Sequence, residues 1–150
     1  MARNSPITRG SSRARSVARK LAMQALYELQ FNQQPWQDLH QHYLAKEDTA
    51  RADADYFREL VEQVSGARSD LDAELAGLID RPVSNLDPIE HAILLIGAYE
   101  LRSRPDVPYR VVINEGVELA RRFGATDGHK FVNAVLDRAA ARLRSAERLP

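Results

Sequence analysis

A chain of 150 residues with 44% apolar residues holds enough apolar surface for one domain, or for two small halves sharing a core. It contains no cysteine, which excludes disulfides, thiol catalysis and thiolate metal sites and is compatible with a reducing cytoplasm. The longest greasy run, Ala92 to Tyr99, is far short of the about 18 apolar residues a membrane helix needs, and no apolar stretch follows the early arginines to act as a secretory signal.

The zero formal net charge hides a split. Arg3, Arg9, Arg13, Arg15, Arg19 and Lys20 fall in the first twenty residues with no acid among them. A basic arm therefore leads an acidic body, and such an arm suits a polyanion, RNA or DNA first. A transit peptide, a disordered tail and a solubilising arm are the competing readings. Against the transit peptide, the basic run shares a helix with Val17, Leu21, Ala25 and Leu29, spaced i, i+4, i+8, i+12.

Residues 1–12 lack periodicity and are expected to form a flexible basic tail. From residue 13 the apolar spacing is helical almost throughout, with no sustained alternation, so the expected fold is all-α: seven helices in two packed sub-bundles, without a sheet. The first helix spans about 13–31. The second spans 36–46, with Trp36, Leu39, Tyr43 and Leu44 on one side. The third spans about 51–65, with Phe57, Leu60, Val61 and Val64 as its stripe and Gly66 as its stop. Ser69 is the expected cap of the fourth, with Asp72 completing a capping box before Leu71, Leu75 and Leu78. The connection from Asp80 to Leu86 separates sub-bundles at about 13–80 and 87–145 within one domain over 13–150.

Asp87-Pro88-Ile89-Glu90 is the clearest start signal, a capping carboxylate followed by proline at the first helical position and a glutamate three residues after the cap. The fifth helix is apolar on nearly every side and belongs at the centre of a bundle. The sixth carries Val112, Gly116, Leu119, Ala120 and Phe123 on one face, and Gly124 is expected to end it in the left-handed conformation. Thr126 or Asp127 then caps a seventh helix with Phe131, Val135, Leu136, Ala139 and Leu143 buried.

Enzyme chemistry finds little support. His40 and His42 stand about 200° apart around a helix and cannot chelate one ion. His91 follows Glu90 without an HExxH spacing, and neither GxGxxG nor GxxxxGK[ST] occurs. Glu100 with Arg104, and Glu118 with Arg121 and Arg122, are spaced for surface ion pairs. The expectation is a protein that is not an enzyme and holds no cofactor and no metal. More informative is the turn Gly124-Ala125-Thr126-Asp127-Gly128-His129-Lys130-Phe131. Unpaired amides at a helix start attract phosphate, Lys130 adds charge, and an aromatic ring can stack a base. Periodicity alone favours a core role for Phe131 over stacking. Asp127 caps the helix on this reading, and would repel a phosphate placed there.

Asp87 to Leu101, Asp106 to Gly124 and Asp127 to Ala140 together resemble the bacterial NusB family of transcription antitermination factors, and Ala14 to Phe31 looks like the family's first helix. The likeness runs from about 13 to 143. Its most specific residues are Tyr99-Glu100-Leu101, Val107-Pro108-Tyr109, Ile113-Asn114-Glu115 and Lys130-Phe131-Val132-Asn133, in that order.

The resemblance implies a cytoplasmic factor that binds single-stranded boxA RNA of nascent ribosomal transcripts together with NusE, a small-subunit ribosomal protein, and helps assemble the antitermination complex on RNA polymerase. It implies RNA contacts at Arg13, Arg15, Arg19 and Lys20 and at Asp127, His129, Lys130 and Phe131. Tyr27 matches a first-helix tyrosine that influences function in the family. Leu95 and Pro82 depart from the family pattern, where a basic residue and a tryptophan are common. The alternative is a helical protein-interaction or homodimeric module without RNA binding. A NusB-like domain fused to a ribosomal RNA methyltransferase is disfavoured, since the chain ends at Pro150 and has no glycine-rich site for a methyl donor.

Overall fold

The structure, a computed structural model, describes residues 11–46 and 50–148. Among these the regular elements are all helical: α1 Ser12–Phe31, α2 Trp36–Leu44, α3 Ala54–Gly66, α4 Arg68–Ala76, α5 Pro88–Ser103, α6 Tyr109–Phe123, α7 Gly128–Leu143 and α8 Ser145–Arg148, with a 3₁₀ turn at Val83–Asn85. The all-α class is as expected, with one helix more than the seven read from the sequence. The extra helix, α8, has a single turn and so no periodicity to read. Residues 1–10 of the expected tail lie outside the described residues. Ser12 is helical, because the Ser11 hydroxyl accepts the Ala14 N–H at 3.0 Å and caps α1.

Packing divides the chain between Gly66 and Ala67, not at the Asp80 to Leu86 connection. The fourth helix therefore groups with α5 to α8, an assignment that rests on tertiary contacts and leaves no mark on its own periodicity.

In the first unit, α1 packs chiefly on α3. Its buried line is Ala14, Ala18, Leu21, Ala22 and Ala25, whereas Val17 and Leu29 of the expected stripe are only half-buried. Small side chains let the backbones approach, and the Asp53 N–H donates directly to the Ala14 carbonyl at 3.0 Å. Asp53 also accepts the Tyr56 N–H, satisfying an amide of the first turn of α3. On α2, Leu39 and Tyr43 are buried but Leu44 is 40% exposed, because the helix ends at that residue and not at 46. His40 packs its ring between Trp36 and Phe57, while His42 is exposed.

In the second unit, every residue of α5 from Glu90 to Leu101 is buried, covered by α4, α6 and α7. Asp87 accepts from the Ile89 and Glu90 amides at 2.9 and 3.1 Å, with Pro88 at the first helical position, as its sequence requires. Leu136 of α7 fits against Gly97 of α5 and Gly116 of α6. A methyl at either glycine would stand 2.6 or 2.8 Å from a Leu136 methyl, so both positions serve close packing.

Four expectations fail here for identifiable reasons. Ser69 does not cap α4, which starts two residues earlier than that cap implies, at Arg68, with no side-chain cap, and Asp72 is engaged instead by His91 at 2.6 Å and Arg68 at 3.1 Å. Glu100 is 1% exposed and so lies in the core, not on the surface. Gly124 is extended, with φ −83° and ψ 179°, and the left-handed residue is Asp127 at φ 62°. Finally, Phe131 and Leu143 are half-buried, the covered stripe of α7 being Val132, Val135, Leu136, Ala139 and Ala140.

Candidate nucleic-acid interface

Helical geometry sorts the basic residues of α1 onto two faces. Arg15 and Arg19, four residues apart, both turn toward α3. The Arg15 guanidinium lies 4.3 Å and that of Arg19 5.4 Å from the centre of the Tyr56 ring, and Arg15 Nε is 3.6 Å from Asp53 Oδ2. Arg19 is only 3% exposed, so its role within the unit is to hold α1 on α3. Arg13, Lys20 and Tyr27 recur at seven-residue intervals along another face, Arg13 exposed and Lys20 and Tyr27 half-buried. Phe31 extends that face, 65% exposed, with its ring edge-on to Tyr27 at 5.0 Å. Cationic groups thus lead and aromatic rings follow along one helix.

The second set of sequence-selected residues lies at the α6–α7 turn. Asp127 is exposed and occupies the capping position of α7, but it makes no side-chain cap bond, because its left-handed backbone aims the carboxylate elsewhere. It faces Lys130 instead, at 3.5 Å. Nor does the start of α7 offer a row of unpaired amides. Ala125 N–H donates to the buried Glu90 carboxylate at 3.2 Å, Gly128 N–H to Ala125 O, and Lys130 N–H to Asp127 O. Glu90, read from the sequence as part of a capping box, in fact reaches across from α5 to hold this turn. Burial raises its carboxyl pKa, the Ala125 amide opposing that shift.

His129 and Phe131 are half-buried and Lys130 is exposed. The Phe131 ring carries the Arg81 guanidinium 4.3 Å from its centre. Beside it opens a cavity of about 600 Å³ lined by Gly77, Leu78, Ile79, Asp80, Arg81, Phe131 and Arg138. Sequence reasoning missed Arg81 and Arg138, which are isolated in the chain and carry no spacing signal. It also missed Glu90 in its bracing role and Tyr56 as the ring under the arginines. The described residues contain no group of three or more histidine and acidic side chains placed to hold a metal ion, and none of their helices is long and apolar enough to cross a membrane.

The described residues of both units thus define an all-α protein. The family model that matches residues 16–141 is the NusB family, and the chain belongs to it. It is 48% identical to a transcription antitermination protein NusB of Marinobacter nauticus over 136 residues, covering 91% of this chain and 86% of that one. A NusB of Idiomarina loihiensis is 52% identical over 126 residues, 84% and 91% of the two chains. Among solved structures, Thermotoga maritima NusB superposes with a TM-score of 0.71 at 25% identity, over 83% of this chain and 89% of that one.

Proposed function

We propose that this protein is a non-enzymatic antitermination adaptor of the cytoplasm that binds single-stranded boxA RNA of ribosomal transcripts together with NusE and assists assembly of the antitermination complex on RNA polymerase. The observation that carries the RNA part is the face of α1 on which Arg13, Lys20 and Tyr27 recur every seven residues, cations first and rings after. Single strands are held in this way, by phosphate neutralisation beside rings that stack bases. Family membership supports the transcriptional role.

The mechanism shares binding energy between two modest surfaces. Arg13 and Lys20 neutralise backbone phosphates, and Lys130 with Phe131 supplies a second cation and ring. NusE engages another helical face, so the ternary complex is far tighter than either pair. Phosphate contacts carry no sequence information, so boxA preference comes from base contacts near Phe131 and His129.

The test is fluorescence anisotropy of a boxA oligonucleotide with and without NusE, over a range of salt. Replacing Arg13 and Lys20 with alanine is expected to flatten the log K against log salt slope by about 1.4, at about 0.7 per phosphate contact. No binding at low ionic strength with NusE present would overturn the proposal. NusE binding without RNA would favour a purely protein-binding helical module.

A further inference from the structure

The cleft between the end of α4 and α7 has a composition that the arm and the α6–α7 turn do not account for. Its lining combines apolar Leu78, Ile79 and Phe131 with two arginines and Asp80. Most arginines of this unit are spoken for: Arg142 pairs with Glu74, Arg148 with Asp137, Arg104 with Asp106 and Arg68 with Asp72. Arg81 and Arg138 line the cleft with no carboxylate within ion-pair distance among the described residues, although the Arg81 charge also acts on Glu90. Arg138 is exposed and donates from Nε to the Leu78 carbonyl at 3.0 Å, which ties its guanidinium to the cleft lining. The Arg81 guanidinium lies over the Phe131 ring, 4.3 Å from its centre, so that ring and cation form one layered platform.

We infer that this cleft is a subsite for a single nucleotide of the RNA strand, the base stacking on the Phe131–Arg81 platform and the flanking phosphate lying on the Nη groups of Arg138. The volume is ample for one nucleotide. Asp80 decides against a bare anion: a carboxylate in the lining repels free phosphate but accepts an N–H from a base edge. A flat, partly cationic stack also suits a nucleobase better than an aliphatic peptide side chain. The inference rests on the RNA-binding reading above and adds to it Arg81, Arg138 and Asp80.

The test uses the full chain, a single-stranded 12-nucleotide RNA carrying 4-thiouridine, and the variants Arg81→Ala and Arg138→Gln, with Arg102→Ala as a control for loss of one exposed charge. Arg81→Ala and Arg138→Gln are each expected to weaken binding about five- to tenfold at unchanged melting temperature, the range of one lost stacking or phosphate contact, with Arg102→Ala within about twofold. Photocrosslinks are expected at residues 77–81 or Phe131. If the wild type binds RNA while all three variants behave alike and crosslinks fall elsewhere, the subsite is wrong and the RNA-binding reading stands. If the wild type binds no RNA, both fail. Should Arg138→Gln lower the melting temperature by loosening the Leu78 contact, Arg81→Ala, whose exposed side chain lies over the Phe131 ring, decides the matter.

Discussion

The Glu90 carboxylate occupies the space that any side chain at Gly128 would need, and the same carboxylate holds the Ala125 amide. One buried acid on the central helix thereby sets the shape of the turn that leads into α7. Gly128→Ala forces the two groups apart, and a destabilisation of about 1–3 kcal/mol is expected from overpacking, together with weaker RNA binding. Glu90→Gln keeps an acceptor for Ala125 and is expected to cost less in both measurements. Urea unfolding beside anisotropy reads the two effects, and equal losses in the two variants would show that the steric relationship is unimportant.

Asp127 carries a negative charge at a turn proposed to face phosphate, and it ties up Lys130. Because it makes no cap bond, Asp127→Asn removes the charge without uncapping α7, and asparagine tolerates the left-handed backbone. RNA binding is expected to tighten several-fold at low salt, with helicity unchanged. Weaker binding would mean that the carboxylate reads the RNA itself.

The two faces of α1 predict opposite phenotypes. Arg19→Ala empties a buried site against Tyr56 and is expected to lower stability by about 1–3 kcal/mol. Arg13→Ala touches an exposed side chain and is expected to leave stability within about 0.5 kcal/mol while weakening RNA binding. Thermal melts of both variants separate the roles, and a stable Arg19→Ala with impaired binding would return Arg19 to the RNA surface.

Arg144, 8% exposed, donates to the carbonyls of Glu100, Leu101, Arg104 and Val107 and pairs with Glu147 at 2.6 Å. These carbonyls lie at the end of α5 and in the loop beyond it, and those of Glu100 and Arg104 also accept the Arg104 and Val107 amides. Arg144→Met is expected to cost about 3 kcal/mol, since the Leu101 and Val107 carbonyls lose the Arg144 donor and the ion pair with Glu147 is broken. Arg144→Lys, with one ammonium for a planar fork, should recover only part of this in chemical denaturation.

Asp72 lies between His91 and Arg68. Burial pushes its carboxyl up, but the His91 hydrogen bond and charge, with Arg68, outweigh that and leave the pKa below its ordinary 3.8. A depressed carboxylate contributes stability that is fully present above the unfolded value and is lost as pH falls below about 4 toward the folded value. Melting temperatures of the wild type are therefore expected to drop more steeply than those of Asp72→Asn as the pH is lowered through this window, and parallel acid limbs would remove Asp72 from the account.

Much of this fold could be read in advance because helices announce themselves locally. Asp87-Pro88 starts α5 where the sequence says it should, the apolar run after it is buried throughout, and Phe57, Leu60, Val61 and Val64 form the stripe of α3. The surroundings of the candidate residues were legible only in part. Arg13 and Lys130 are exposed and Lys20 is half-buried, but the burial of Arg19 depends on Tyr56, thirty-seven residues away in sequence, and no one-dimensional pattern reports that pairing.

The sequence by itself determined the helical class, the basic leading arm and the family likeness, because periodicity, charge order and short motifs are properties of neighbours along a chain. Tertiary structure alone decided which arginines stay in solvent, why Glu90 lies under a distant turn, and that Arg81 and Arg138 border one cleft with Phe131. Burial, ion pairing and cavity shape arise where separate helices meet, and the residues that meet there share no spacing.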